Sequence, residues 1–497
     1  MLINAIKFQS LGSKLNAKSI NKLNSNLLKF YSTTSAETPL SVAVVGAGPA
    51  GFYTAYRLLK LYNNDTTRIK IHIYDKYPTP YGLVRYGVAP DHPEVKVCQN
   101  KFEQVLQQEN VNLYGNIELD KDIKIEQLQS NYNVVVLATG ANNDKTFGLP
   151  GEESSSVLSA RSFVGWYNGD PQYSSLKPNL DKTDTAIVLG QGNVALDIAR
   201  ILLAPLDELR KTDIAQHAVE ELQRSKIKHV KIVGRRGPLQ VSFTSKEFRE
   251  MISLKGVETR LDETLLKNEI NNNAKYLSKN RASKRLMSLI EKGVQQSKSD
   301  YSSINPANKI CEFQFLRSPL QFITNNENIE LQGIKFGLNK LEGEKPRAVP
   351  TGEETVENAG LAFRSIGYKS NPINNVPFDF DKFIIPNKQG CVIDKDNEID
   401  NIYVSGWLKS GPVGVIATTM MNAFETAEMI HQDYDDKHID KYKDGIQYEE
   451  LKQMGLNPTN YKDWKKLDEY EVKVGNKDGK PREKVTNIEK MLDIIKN

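Results

Sequence analysis

The sequence predicts an α/β fold of two Rossmann-like dinucleotide-binding domains, the second inserted into the first, and three stretches predict it. The first is Val42-Ala43-Val44-Val45-Gly46-Ala47-Gly48-Pro49-Ala50-Gly51, an apolar, β-branched run that breaks into Gly-x-Gly-x-x-Gly. The second is Thr185-Ala186-Ile187-Val188-Leu189-Gly190-Gln191-Gly192-Asn193-Val194-Ala195, the same pattern with alanine in the last place. The third is Asn133-Val134-Val135-Val136-Leu137-Ala138-Thr139-Gly140, a buried strand closing on Ala-Thr-Gly, where a chain of this plan leaves its first domain.

In the first motif each glycine has a physical task. Gly46 makes the tight turn, Gly48 lets the backbone approach a pyrophosphate, and Gly51 lets helix and strand pack closely. The free N–H groups and dipole of the helix over 52–60 would hold the phosphates. A second strand, Ile69–Tyr74, ends at Asp75, placed to accept hydrogen bonds from a ribose. The segment 78–93, rich in proline and glycine, reads as a long ordered loop, and loops of that length are usually functional. Its His92 is open to two readings, a proton relay or a brace for the loop.

The second motif runs into a helix through Leu196-Asp197-Ile198-Ala199-Arg200. After the next strand, His229–Val233, an acid would bind a ribose 2′-hydroxyl, but the chain reads Gly234-Arg235-Arg236-Gly237. Two guanidinium groups suit a 2′-phosphate, so the expected nucleotide is NADP rather than NAD. Residues 267–298 hold eight Lys or Arg against two acids. Helical spacing puts Arg281, Lys284, Arg285 and Lys292 on one face and Leu286, Leu289 and Ile290 on another. That basic face is either a solvated surface or a dock for an acidic partner. Stretches 349–352 and 360–368 read as strands returning toward the first domain. The strand ending Ser405-Gly406-Trp407 precedes a small-residue loop, Gly411-Pro412-Val413-Gly414-Val415-Ile416, and a helix over 422–431; such a loop can lie against a flavin. Residues 432–497 are polar, with helical patches and no catalytic pattern.

Composition bounds the rest. The 497 residues are enough for two or three domains, and no apolar run reaches the ~18 residues a membrane span needs. Residues 1–36 contain Lys7, Lys14, Lys18, Lys22 and Lys29, many Ser and Asn, and no acid, which reads as an organelle transit peptide cut near Phe30-Tyr31-Ser32-Thr33. Those five charges exceed the net charge of +4, so the remaining body carries −1 and bulk charge does not indicate nucleic acid. Cys98, Cys311 and Cys391 lack Cys-x-x-Cys spacing, and six scattered histidines show no metal-ligand spacing, so neither a local redox disulfide nor a metal is expected.

At the level of whole motifs the chain resembles the mitochondrial adrenodoxin reductase family, NADPH:ferredoxin oxidoreductases with two dinucleotide-binding domains. The resemblance covers nearly everything after residue 40. It is carried by Gly82-Leu83-Val84-Arg85-Tyr86-Gly87-Val88-Ala89-Pro90-Asp91-His92-Pro93, Phe163-Val164-Gly165-Trp166-Tyr167-Asn168-Gly169, the stretches 190–197, 234–241 and 411–420, and the tail with Asp463-Trp464 and Gly479-Lys480-Pro481-Arg482-Glu483-Lys484. It implies FAD contacts at Ala50, Asp75, Leu83, Leu119, Trp407, Gly414, Val415 and Ile416. It implies NADP contacts at Gln191, Gly192, Asn193, Val194, Arg235, Arg236, Glu247 and Gly414, and ferredoxin contacts at Arg281 and Arg285. Asp75 stands where the family usually has glutamate, and Val413 where it often has threonine.

The function so implied is an FAD enzyme that takes hydride from NADPH and passes single electrons to an acidic 2Fe–2S ferredoxin in the mitochondrial matrix, with at most peripheral membrane association. The implied division is a transit peptide over 1–36, an FAD-binding domain over 37–142 and 371–497, and an NADP-binding domain over 143–370. Two other readings are a flavin reductase serving another acceptor, such as a quinone, and a nucleotide-binding scaffold without catalysis.

Overall fold

A computed structural model gives the fold and describes residues 39–301, 308–325, 329–395, 397–434 and 443–497. The expected transit peptide lies outside the described residues. Two sheets organise the chain. The first has seven strands in the order Asn387–Lys388, Cys391–Asp394, Asn397–Val404, Val134–Leu137, Leu40–Val45, Ile69–Tyr74, Val111–Tyr114. The interior strand Leu40–Val45 is buried at all six positions and runs parallel to both neighbours, as expected of an apolar strand covered on two faces. The second sheet has six strands in the order Val157–Ser159, Leu361–Arg364, Thr185–Leu189, His229–Val233, Lys309–Gln314, Val257–Leu261, all parallel.

The two returning strands are only partly where the sequence pattern suggested. Arg347–Asn358 is an exposed edge of a separate antiparallel sheet with Leu331–Glu342 and Arg317–Thr324. Leu361–Arg364 pairs inside the second sheet, because its buried Leu361, Ala362 and Phe363 fit between two parallel strands. What returns is Tyr368–Lys369, which pairs antiparallel with Asn143–Asp144. The chain therefore crosses between the two large sheets twice, and the crossings form a two-stranded ribbon.

The tail is part of the first core. Trp464 and Leu467 of the helix Tyr461–Lys477, with Met491 and Ile495 of Ile488–Lys496, pack with Phe52, Tyr53 and Phe102. Glu471, fully buried, accepts from Arg85 Nη2 at 2.5 Å, which fixes the proline-glycine segment against the tail. That segment is ordered, as expected, and includes the short helix Leu83–Tyr86.

Candidate functional site: two glycine cradles joined by one loop

Both glycine motifs sit at the carboxyl end of a central parallel strand, beside the point where strand order reverses, which is where open α/β sheets bind ligands. Their construction is the same. Gly46 and Gly190 take φ of +117° and +140°. A β-carbon on Gly46 would fall 2.3 Å from the Ala138 carbonyl oxygen, and one on Gly190 2.0 Å from that of Ser365. Gly51 lies against the Gly46 carbonyl, where a β-carbon would come within 2.0 Å. Gly48 and Gly192, which cap the helices Pro49–Leu61 and Asn193–Leu203, face open space: a β-carbon on either meets nothing within 4 Å. Three glycines are thus demanded by packing, and the two at the helix mouths leave room for a phosphate.

Asp75 does more than its position suggested. Its Oδ2 accepts from Ala47 N at 2.8 Å and its Oδ1 from Tyr77 N at 2.9 Å, so the carboxylate braces the glycine turn while keeping further lone pairs for a ribose. Burial raises its pKa, opposed by those two N–H groups. Leu83 is brought to the same place: Tyr81 N donates to Ala47 O at 2.7 Å, and a β-carbon on Gly82 would lie 3.1 Å from Gly48 Cα. Leu119 belongs to the turn after Ile117, whose N–H donates to Asp75 O at 2.9 Å.

From the other end of the chain, Gly406 packs on Ala50 and Gly406 N donates to Asn422 Oδ1 at 2.9 Å, which sets Trp407 beside the first helix. The indole Nε1 of Trp407 is buried and has no partner among the described residues, a state that costs about 1–3 kcal/mol unless something accepts from it. Gly414, Val415 and Ile416 open the helix Ile416–Tyr434, which packs along Pro49–Leu61 through Ala423, Ala427 and Ile430. Val413 and Val415 are 78 % and 52 % exposed, an apolar surface suited to covering by a flat ring. Open helix mouths, an orphaned indole N–H and this uncovered apolar loop fit a flavin dinucleotide.

In the second cradle, Gln191 Nε2 is likewise buried without a partner among the described residues, and the side chain fills the space that a β-carbon on Gly234 would take. Asn193 Oδ1 accepts from Thr244 N at 2.9 Å, tying Val194 and the helix start to the helix Ser245–Ile252. Arg235 is exposed and Arg236 half-buried, and neither guanidinium is engaged by another described residue. Their backbone is held from the antiparallel sheet, with Asn339 Nδ2 donating to Arg235 O at 3.0 Å and Leu316 N to Arg236 O at 3.2 Å. Asn339 gave no signal in the sequence, because only tertiary pairing brings it there.

Between the cradles lies a charged network that the sequence reading missed apart from His92 and Glu247. Arg200, 2 % exposed, donates through Nε to Asp91 Oδ2 at 2.5 Å and through Nη2 to Asp197 Oδ1 at 2.8 Å. His92 Nε2 is 2.5 Å from Glu250 Oε2, and Glu247 Oε2 stands 3.5 Å from Arg200 Nη1 and 3.8 Å from His92 Nε2. Burial raises the pKa of Glu247 and that of Asp197; Asp91, though burial pushes it up, ends lower under the Arg200 guanidinium. His92, Glu247 and Glu250 come close enough to share a cation, and Arg200 already supplies that charge. The segment 78–93 joins the two cradles, with Gly82 against Gly48 near one end and Asp91 bonded to Arg200 near the other.

On the helix Arg281–Asp300, Arg281, Lys284, Arg285 and Lys292 are exposed as its sequence implied; of the apolar face Ile290 is buried while Leu286 and Leu289 are half-buried against the core, and Met287 and Val294 complete the buried side. Cys98, Cys311 and Cys391 are all free.

Residues 40–300 match the family model described as pyridine nucleotide-disulphide oxidoreductase. The chain is 44 % identical over 484 residues to the NADPH:adrenodoxin oxidoreductase of Salvelinus fontinalis, covering 95 % of each. It is 44 % identical to that of Bos taurus, covering 93 % of each, and 41 % identical to that of Arabidopsis thaliana, covering 94 % of this chain and 98 % of the relative. The solved structure of Mycobacterium tuberculosis FprA in complex with NADPH superposes with a TM-score of 0.85 at 32 % identity, over 92 % of this chain and all of that one. With 41–44 % identity over 93–95 % of its length, the chain belongs to the NADPH:adrenodoxin oxidoreductase family.

Proposed function

We propose that this protein is an FAD-dependent NADPH:ferredoxin oxidoreductase acting in mitochondria. The observation that carries the reading is the pair of matched cradles, one ending at an acid and the other at two free arginines, in a chain of this family. Bound FAD would supply the redox chemistry, acceptance of a hydride from NADPH and return of its two electrons one at a time, with the proton going to solvent. The chain's own groups bind and orient. The helix mouth at Gly48, with Ala50, Asp75, Leu83 and Leu119, holds the FAD pyrophosphate, adenosine and flanking groups; Trp407 and Gly414 to Ile416 line its ring. Gln191, Gly192, Asn193 and Val194 hold the NADPH pyrophosphate and Arg235 and Arg236 its 2′-phosphate, with Glu247 and Gly414 as further contacts to the nucleotide. His92 braces the joining loop through Glu250.

Residues 37–142 and 371–497 make up the FAD-binding domain and 143–370 the NADP-binding domain, a division supported by the membership of the two sheets. The partner is an acidic 2Fe–2S ferredoxin, docking on Arg281 and Arg285. The relatives' names are mitochondrial, and among the described residues no helix is long and apolar enough to cross a membrane, in keeping with a matrix protein that at most touches a membrane surface. Stopped-flow mixing with NADPH tests the reading: the bound yellow flavin bleaches, and a purified mitochondrial-type 2Fe–2S ferredoxin then reoxidises it. Bleaching followed by reoxidation only with a quinone would point to another acceptor, and no bleaching would leave a scaffold.

A further inference from the structure

Besides the ribbon of Asn143–Asp144 with Tyr368–Lys369, one buried side chain touches both crossings between the sheets. Arg161, in the helix Ala160–Tyr167 and 8 % exposed, donates through Nη1 to Ala141 O at 2.6 Å, just after the Ala-Thr-Gly turn on the first crossing. Its guanidinium carbon also stands 5.6 Å from the ring centroid of Tyr368 on the second crossing, and its Nε donates to Tyr173 OH at 3.1 Å. Tyr368 in turn stacks on Trp407, with ring centroids 5.6 Å apart and planes 30° from parallel. Burial pushes the Tyr368 phenol up to about 12, against the pull of Arg161, so the ring stacks neutral. Backbone packing fixes where Trp407 starts, through Gly406 on Ala50, but leaves its indole free about two side-chain torsions. The stack from Tyr368 bears on the face of the indole whose buried Nε1–H has no partner among the described residues.

We propose that Tyr368 is a positioning residue of the flavin site: gripped by Arg161 and stacked on Trp407, it aims the indole at bound FAD and ties that aim to the ribbon where the chain crosses between its sheets. This rests on the reading that FAD occupies the first cradle. An offset aromatic stack with a cation over it is a modest but directional interaction, so its loss should act through Trp407 and little elsewhere.

The test uses the full chain stripped of FAD and titrated with it, comparing Tyr368→Leu, Tyr368→Phe, Trp407→Phe and the double variant Tyr368→Leu/Trp407→Phe. Tyr368→Leu should weaken FAD binding about tenfold, and Tyr368→Phe should restore it to within about twofold of wild type. The double variant should bind no more weakly than Trp407→Phe alone, and the flavin midpoint potential should shift in the same direction in both single variants. FAD affinity and potential unchanged in Tyr368→Leu would overturn the proposal, as would losses that multiply in the double variant. Should Tyr368→Leu fail to fold by circular dichroism, Arg161→Gln serves instead: a loss of about threefold in FAD affinity supports the grip, and wild-type affinity overturns it. Wild-type chain that binds no FAD would overturn the functional reading itself, and this inference with it.

Discussion

Gly406 and Ala50 are in such close contact that a β-carbon on Gly406 would fall 2.4 Å from Ala50 Cβ, at a φ of +69° that L residues rarely adopt. This contact locks the last strand of the first sheet, Asn397–Val404, to the first turn of the helix that carries the first cradle, and Thr54 Oγ1 and Ser405 Oγ add a hydrogen bond of 2.9 Å beside it. Gly406→Ala should therefore combine backbone strain with a clash against the Ala50 β-carbon and cost roughly 2–4 kcal/mol. Urea unfolding of the FAD-free chain measures it; a change under ~0.5 kcal/mol would show that the two elements are not held at this point.

The glycines within one motif should separate by position. Gly51→Ala drives a β-carbon into the Gly46 carbonyl at 2.0 Å and should lower the stability of the FAD-free chain by roughly 2 kcal/mol or more. Gly48→Ala meets nothing in the chain, so that the FAD-free protein should unfold like wild type while FAD affinity falls at least about tenfold. The corresponding change at Gly192 should spare FAD and weaken NADP⁺. Equal stability losses at Gly48 and Gly51 would contradict the open mouth.

These glycines were legible in the sequence because a tight turn and a close helix–strand approach are local demands, met within ten residues of the strand that creates them. The place of Arg235 and Arg236 was legible for a related reason: they follow directly on His229–Val233, the second strand of the unit. Sheet membership was not local. Val349-Pro350-Thr351-Gly352 has strand character, but nothing in those residues says that they pair with Leu331–Glu342 rather than returning to the first sheet. Arg161, Tyr368, Asn339 and the Arg200–Asp91 pair were illegible for the same reason, since each acquires its role from a partner distant in sequence. The basic face of Arg281–Asp300 was legible as a face, because period 3.6 is local.

A buried histidine gives the first sheet a pH dependence. His72 lies on the strand Ile69–Tyr74, fully buried, with Nδ1 2.6 Å from Tyr132 OH. Burial, reinforced by Lys70, pushes its pKa down to about 3, while Asp444 and the Ile446 backbone pull the other way. The folded imidazole therefore stays neutral at pH 5, whereas the unfolded chain takes up a proton below about 6.5. A lowered folded pKa means that the unfolded state binds more protons, so stability falls as pH drops from 6.5 toward 3. Between pH 6.5 and 5 this one group should remove about 1.5 kcal/mol. His72→Phe should start less stable but lose about that much less over the same interval in denaturant titrations. Parallel losses in the two proteins would contradict a neutral buried His72.

Nucleotide choice should rest on Arg235 and Arg236, whose backbone is held by Asn339 and Leu316 while their guanidinium groups remain free. Replacing both with Ala should raise the KM for NADPH strongly and that for NADH little. Each guanidinium–phosphate hydrogen bond lost should cost roughly 1.5–3 kcal/mol, about 10- to 150-fold, and the two need not add. Steady-state reduction of ferricyanide with each nucleotide measures this, and equal losses with both would show that the pair does not read the 2′-phosphate.

Charge reversal on the basic helix separates docking of a ferredoxin from a merely solvated face. Arg281 and Arg285 lie four residues apart on Arg281–Asp300, exposed, with Lys284 and Lys292 near them, and none of the four is ion-paired to another described residue. Unpaired cations add to the field that an acidic partner meets, and that field weakens with salt. Arg281 is also the first helical residue, where a positive charge opposes the helix dipole, so replacing it with an acid should cost the helix nothing and favour it by ~0.3–1 kcal/mol. Folding is thereby separated from docking. Arg281→Glu with Arg285→Glu should leave FAD content and NADPH-driven ferricyanide reduction nearly unchanged, while ferredoxin-dependent cytochrome c reduction falls at least about tenfold, since like charges brought together cost several kcal/mol. In wild type the ferredoxin-dependent rate should drop more steeply than the ferricyanide rate as ionic strength rises. If the two activities decline together in the variant, the helix supports the fold rather than the partner; if neither declines, the ferredoxin docks on another face.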